Sequence, residues 1–95
     1  MVNNQKVFIL GMTKSGFAAA KLLAKDNTVF ITDQKDQKEE DLQELHRLGV
    51  VFQKSERQED LLDSTYNLLI KSSTIPEKNP VIEKARKLII PVINE

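Results

Sequence analysis

Cysteine and tryptophan are absent from the 95 residues, and histidine occurs once, as His46. Without cysteine there is no disulfide framework and no thiolate metal site, and one histidine leaves metal binding short of its commonest ligands. Net charge is missing as well: fourteen basic residues balance fourteen acidic ones, for a formal charge of zero. No global field draws in a nucleic acid or an anionic membrane. Long apolar runs are also lacking. Near the start the longest is Val7 to Leu10, far below the ~18 residues of a membrane span and too short for a signal-peptide core. These absences set the expectation of a cytoplasmic protein with neither a nucleic-acid partner nor a membrane anchor.

What is present is an ordinary globular composition, 40% apolar and 29% charged, which at this length predicts one domain over residues 1–95. Lys6 to Leu10 is apolar without alternation and stops at Gly11, the pattern of a parallel strand buried on both faces. The alanine- and leucine-rich stretch from Ser15 to Lys25 predicts a helix. Thr28 to Thr32 predicts a second strand ending at Asp33. Leu42, Leu45 and Leu48, led by Glu39, Glu40 and Asp41 and closed by Gly49, predict an amphipathic helix. Val50 to Phe52 is a third strand, and Ser55 to Gln58 has capping-box spacing for a short helix. Tyr66 to Ile70 is a fourth strand. Asn79 and Pro80 cap and begin a helix whose buried stripe is Val81, Ile82, Ala85 and Leu88. Leu88 to Ile93 closes the chain, at a sheet edge because Pro91 cannot donate to a ladder.

Strands alternating with helices predict right-handed βαβ units, hence an α/β, doubly wound (Rossmann-like) parallel sheet of five strands in the order 3-2-1-4-5, with helices on both faces. Ligands bind such sheets at the carboxyl ends of the strands, where the order reverses. That places the loops Gly11 to Gly16, Asp33 to Lys35 and Ser72 to Pro76 around one crevice.

The segment Gly11-Met12-Thr13-Lys14-Ser15-Gly16 joins the first strand to the first helix, where amides and the helix dipole favour an anion such as a diphosphate. It is not a Walker A loop, because Phe17 and Ala18 stand where Lys and Ser or Thr are required. It also departs from the dinucleotide fingerprint, since Thr13 replaces the middle glycine. A glycine turn of purely structural duty has the same composition. Asp33 follows Gly11 by 22 positions, near the ~20-residue offset of an acid that meets a ribose hydroxyl. An aspartate that merely starts a turn fits that place too. Lys35 could cover a base or approach a phosphate, or be solvated like most lysines. His46 has no carboxylate in ligand spacing and reads as a surface residue, and the acids Glu39, Glu40, Asp41 and Glu44 have a helix-dipole reason to be where they are.

Lys6 to Leu23 with its G-x-x-K-S-G-x-A-A core, Asp33 after the second strand, Lys71 to Pro80, and the tail Ile90-Pro91-Val92-Ile93-Asn94-Glu95 together resemble the N-terminal domain of the Mur ligases, specifically the D-glutamate-adding branch. The resemblance covers essentially the whole chain. It implies a domain that binds the UDP part of UDP-N-acetylmuramoyl-L-alanine in a cytoplasmic, ATP-dependent, amide-forming step of peptidoglycan synthesis. It further implies that the amides of Lys14 and Ser15, flanked by Gly11 and Gly16, meet the diphosphate, and that Asp33, Gln34 and Lys35 surround the uracil. In this family ATP, magnesium and D-glutamate belong to a central and a C-terminal domain, so the resemblance implies a non-catalytic N-terminal domain, expected to be monomeric, whose partners are the rest of its ligase and the UDP-substrate. Ser73-Thr74 stands where the family usually has Pro-Gly, and Thr74 is expected to crowd an amide on that side of the nucleotide. Two other classes share the glycine loop and the aspartate or the fold: an NAD-binding or regulatory nucleotide-sensing domain, and an interaction module with no small ligand.

Overall fold

A computed structural model describes residues 3–94. Its strands are β1 (Lys6–Leu10), β2 (Thr28–Asp33), β3 (Val51–Lys54), β4 (Leu68–Lys71) and β5 (Val92–Asn94), and its helices are α1 (Lys14–Leu23), α2 (Glu39–Arg47) and α3 (Pro80–Lys87). All strands are parallel, in the order β3-β2-β1-β4-β5. β1 is therefore central, which is why Val7, Phe8, Ile9 and Leu10 are all buried.

Alternation along the strands divides the core in two. Val7, Ile9, Val29, Ile31 and Ile70 pack with Ala20 of α1 and Leu45 of α2 on one face. Phe8, Leu10 and Leu69 pack with Leu62, Tyr66 and the α3 residues Val81, Ile82 and Ala85 on the other. The Phe8 ring lies 5.3 Å from that of Phe30 and meets Tyr66 edge-on at 5.2 Å, between centroids. The expected fold, strand order and two-faced helix cover all hold.

Several boundaries move, each for a local reason. α1 begins at Lys14, because the Thr13 hydroxyl caps it by accepting from the Gly16 amide at 2.9 Å, and it ends at Leu23. The third strand starts at Val51, since Val50 is spent closing α2 by donating to the Leu45 carbonyl. The capping box expected at Ser55 does not form: the Ser55 hydroxyl accepts from Arg57 two residues on, and only a four-residue 3-10 turn, Gln58–Leu61, follows. Tyr66 belongs to the turn before β4, its amide bonded to the Asp63 carbonyl. The final strand is only Val92–Asn94, and β5 is an edge as Pro91 demands. Glu95 lies outside the described residues.

α2 and α3 end in the same motif with different residues. Gly49, at φ +79, donates to the His46 carbonyl while Val50 donates to Leu45; Ile89, at φ +59, donates to Arg86 while Ile90 donates to Ala85. Glycine suits this left-handed position, whereas a β-branched side chain is strained there by about 1–2 kcal/mol. The Ile89 side chain gains nothing in return, being 87% exposed. Ile89→Gly is accordingly expected to stabilise the fold by about 1 kcal/mol, after the extra freedom of glycine in the unfolded chain is discounted. That corresponds to a rise of about 4–8 °C in Tm. A fall in Tm would mean that Ile89 is not strained.

Candidate nucleotide-binding cleft

At the carboxyl ends of β1, β2 and β4 lies a shallow cleft of about 180 Å³ lined by Leu10, Gly11, Asp33, Gln34, Gln58, Ile75 and Asn79. It sits where strand order reverses, since β1 pairs with β2 on one side and β4 on the other. Complete small-molecule pockets run to about 300–1,000 Å³, so this cleft by itself has room for only part of a small molecule.

The floor is set by two glycines. Gly11 turns the chain out of β1 at φ +103, a conformation that excludes ordinary side chains, while its amide donates to the Thr32 carbonyl at 2.8 Å. Gly16 is buried in the first turn of α1, and a Cβ there would lie 2.4 Å from the Gly11 carbonyl oxygen. The helix start can approach the strand end this closely only with glycine. With Thr13 capping Gly16, the amides of Lys14 and Ser15 occupy the first two helical positions, which have no intrahelical acceptor. Both residues are exposed. They are donors at the positive end of the helix dipole, beside the cleft.

Asp33 ties two loops together. One carboxylate oxygen accepts from the Met12 amide at 2.7 Å and the other from the Lys35 amide at 3.0 Å, so the β1–α1 and β2–α2 connections share one charged acceptor. The turn-starting role open to this aspartate is therefore present, in the bond it accepts from Lys35 two residues on. Beneath it, the Thr32 hydroxyl donates to the Gln53 carbonyl at 2.7 Å and faces the buried Gln58 amide nitrogen at 3.5 Å. That arrangement turns the Gln58 nitrogen toward Thr32.

The far wall is the segment after β4. Ile75 and Asn79 line the cleft, and the Ile75 δ-methyl lies 3.8 Å from where a Cβ on Gly11 would be. Asn79 also caps α3 by accepting from the Val81 amide at 2.8 Å. Within the segment, Glu77 is hydrogen-bonded to Arg86, which chiefly holds its carboxyl below the usual carboxylate range, with Arg86 and Lys71 charges adding to the effect.

Of the residues singled out in the sequence, Gly11, Asp33 and Gln34 line the cleft; Lys14, Ser15 and Gly16 do not, Lys14 and Ser15 standing exposed on the first turn of α1 and Gly16 lying buried against Gly11. Lys35 and Thr74 are exposed and are not among the lining residues. The Thr74 hydroxyl pairs with that of Ser72 at 2.9 Å, and its amide faces the same Ser72 oxygen at 3.3 Å, so this loop bonds within itself. Ile75 falls in the Ser72 to Pro76 loop expected around the crevice, although the sequence does not single it out there; Gln58 is not expected at the cleft, because nothing local in the sequence brings the 3-10 turn to these strand ends. Asn79 was legible as a cap but not as a wall.

Among the described residues no group of three or more His, Asp or Glu is arranged to hold a metal ion, and no helix is long and apolar enough to cross a membrane. A larger recess of about 610 Å³ lies beside β3, lined by residues such as Leu42, His46, Val51 and Phe52. It is away from the strand ends that gather the polar groups.

No family model matches the chain. Curated relatives do. The chain is 44% identical over 94 residues to the UDP-N-acetylmuramoylalanine--D-glutamate ligase of Enterococcus hirae, with 96% of this chain and 20% of that protein covered. It is 41% identical over 95 residues to the enzyme of the same name from Lactobacillus gasseri, covering 97% and 21%. For the Listeria monocytogenes enzyme the figures are 40% over 97 residues, covering 100% and 21%. The chain thus spans about a fifth of the length of these relatives, at their N-terminal end. Among solved structures, the UDP-N-acetylmuramate:L-alanyl-gamma-D-glutamyl-meso-diaminopimelate ligase of Neisseria meningitides superposes with a TM-score of 0.71 at 22% identity, over 96% of this chain and 28% of that one. GenD2 from gentamicin A biosynthesis, in complex with NAD, gives 0.66 at 19%, over 99% and 27%. At such identities these two structures establish the Rossmann-like fold alone.

Proposed function

The chain is a homologue of the N-terminal part of the UDP-N-acetylmuramoylalanine--D-glutamate ligases, and from that premise we propose that it holds the uridine diphosphate of UDP-N-acetylmuramoyl-L-alanine for an ATP-dependent, D-glutamate-adding, cytoplasmic ligase of peptidoglycan synthesis. The observation that carries this reading is the start of α1, where the exposed residues Lys14 and Ser15 supply the first two helical amides just beyond the cleft-lining Gly11. A diphosphate there receives two N–H donors and the helix dipole. The uracil then has the cleft itself, between Gln34 and Asp33 on one side and Ile75 on the other.

The part played by these residues is binding and orientation. Two phosphates fixed on the α1 terminus and a base fixed in the cleft hold the nucleotide at both ends and leave the sugar and its L-alanine pointing away, toward the partner domains that this reading assigns to the rest of the ligase. ATP and magnesium supply the activation of the carboxylate in that family. The loop of this chain does not fit ATP phosphates, since Phe17 and Ala18 follow Gly16. No catalytic step is assigned to it.

The test is a titration of the protein with UDP-N-acetylmuramoyl-L-alanine, UDP and NADH, observed through amide chemical shifts. UDP and the full substrate are expected to shift Lys14, Ser15 and Gln34 with weak affinity, on the order of millimolar, because most of the substrate lies outside the cleft. Larger shifts with NADH would favour a dinucleotide site, against which Thr13 already argues. Silence with every nucleotide would leave an interaction module.

A further inference from the structure

The ammonium of Lys71 has no part in the binding scheme above, yet it ends β4 beside Leu10 with a side chain only 6% exposed. A buried cation has to be matched by close acceptors. Here the ammonium donates to the Ile75 carbonyl at 3.1 Å and the Ser72 carbonyl at 3.4 Å, and lies 3.5 Å from a Glu77 carboxylate oxygen. The other oxygen of Glu77 takes Arg86 of α3. All three Lys71 partners therefore lie on the single segment that supplies the far wall of the cleft. The remaining bonds of that segment are short-range: Ile75 to the Ser72 carbonyl at 3.0 Å and Asn79 to the Pro76 carbonyl at 3.1 Å. Among the described residues the charged tie between Ile75 and the sheet is Lys71, while the Ile75 side chain packs on the core that includes Phe8 and Leu10. Because the Ile75 methyl lies over Gly11, any shift of its backbone changes the width of the cleft.

We propose that Lys71 is a positioning residue for the nucleotide cleft: its ammonium gathers the Ser72 and Ile75 carbonyls and the Glu77 carboxylate, and so fixes the β4–α3 segment at the distance from Gly11 that a ligand requires. The ligand need not touch it. The inference rests on the nucleotide-binding reading and deepens it, by making affinity depend on a charge inside the sheet end.

Lys71→Met tests it, since methionine keeps the length and apolar stem while removing the charge, and the Glu77 carboxylate left behind is 59% exposed and still paired with Arg86, so no buried charge is stranded. Three quantities are measured on wild type and variant: the urea midpoint, amide hydrogen exchange, and UDP affinity from amide shifts. The expected result is an unchanged midpoint, faster exchange confined to Ile75 and Asn79, and UDP binding weakened about tenfold. Glu77→Gln, at an exposed position, should weaken UDP about threefold and provides the same test should Lys71→Met fail to fold. UDP affinity within about twofold of wild type in the variant that folds overturns the proposal. So does a loss of affinity that only tracks a general loss of exchange protection, which is what a purely structural lysine would give. A wild-type protein silent toward UDP defeats the nucleotide reading itself, and the positioning role with it, whereas a binding wild type and an equally binding variant defeat the positioning role alone.

Discussion

Gly16→Ala lowers the stability of the protein by about 1–3 kcal/mol and removes its UDP binding: this is the expected result, and it runs against the ordinary helix scale. At an unconstrained helical site the exchange gains about 1 kcal/mol, because alanine is the better helix former. Here the new methyl would lie 2.4 Å from the Gly11 carbonyl oxygen, with the Thr13 hydroxyl at 3.2 Å and an Ile9 methyl at 3.5 Å. The near neighbour is backbone, and it belongs to a residue held at φ +103 with its amide bonded to Thr32. It has little room to retreat. Overpacking of this kind costs about 1–3 kcal/mol and occasionally more, against a total on the order of 5–10 kcal/mol for a domain of this size. A urea titration reads the first effect. The second follows because moving the helix start away from β1 carries the Lys14 and Ser15 amides with it. Gly49→Ala is the control, since a methyl there meets no atom within 4 Å and only the backbone at φ +79 is strained. The control is itself strained by about 1–2 kcal/mol, so binding decides: if Gly16→Ala leaves UDP affinity as intact as Gly49→Ala does, the close approach of α1 to β1 is not what shapes the rim.

The second large effect is expected at Asp33. Asp33→Ala deletes the acceptor shared by the Met12 and Lys35 amides. A hydrogen bond to a charged group contributes about 1.5–3 kcal/mol, so the loss of the tie should weaken UDP binding by about tenfold to a hundredfold. Two mechanisms are folded into that number: a direct contact with the nucleoside, and the loosening of the loops that carry the rim amides. Hydrogen exchange separates them. Faster exchange at Met12 and Lys35 without ligand identifies the tie between loops, whereas unchanged exchange with weakened binding identifies a direct contact. Unchanged exchange and unchanged affinity together would remove Asp33 from the site.

Much of this was legible in the chain. The apolar runs read within Lys6–Leu10 and Tyr66–Ile70 mark strands covered on both sides, and the leucines of α2 mark one buried helical face. Such periodicity survives because burial on a sheet or helix face is a local pattern. The errors fall where short-range bonding competes with it. Ser55 has the spacing of a capping box but closes a two-residue turn instead. Tyr66 is as apolar and buried as a strand residue, yet its ring reaches Phe8 from a turn.

The sequence by itself determined the architecture, the glycine junction and the position of Asp33, since each depends on residue type at a fixed local spacing. Only tertiary structure decided that Asp33 joins two loops, that Gln58 joins Gly11 at the cleft, and that a buried Lys71 gathers the loop opposite. The Lys71 contacts are local in sequence, but the Asp33–Met12 and Gln58–Thr32 bonds bridge segments far apart along the chain. Parallel strand order brings them together, and no stretch of neighbouring residues encodes the meeting.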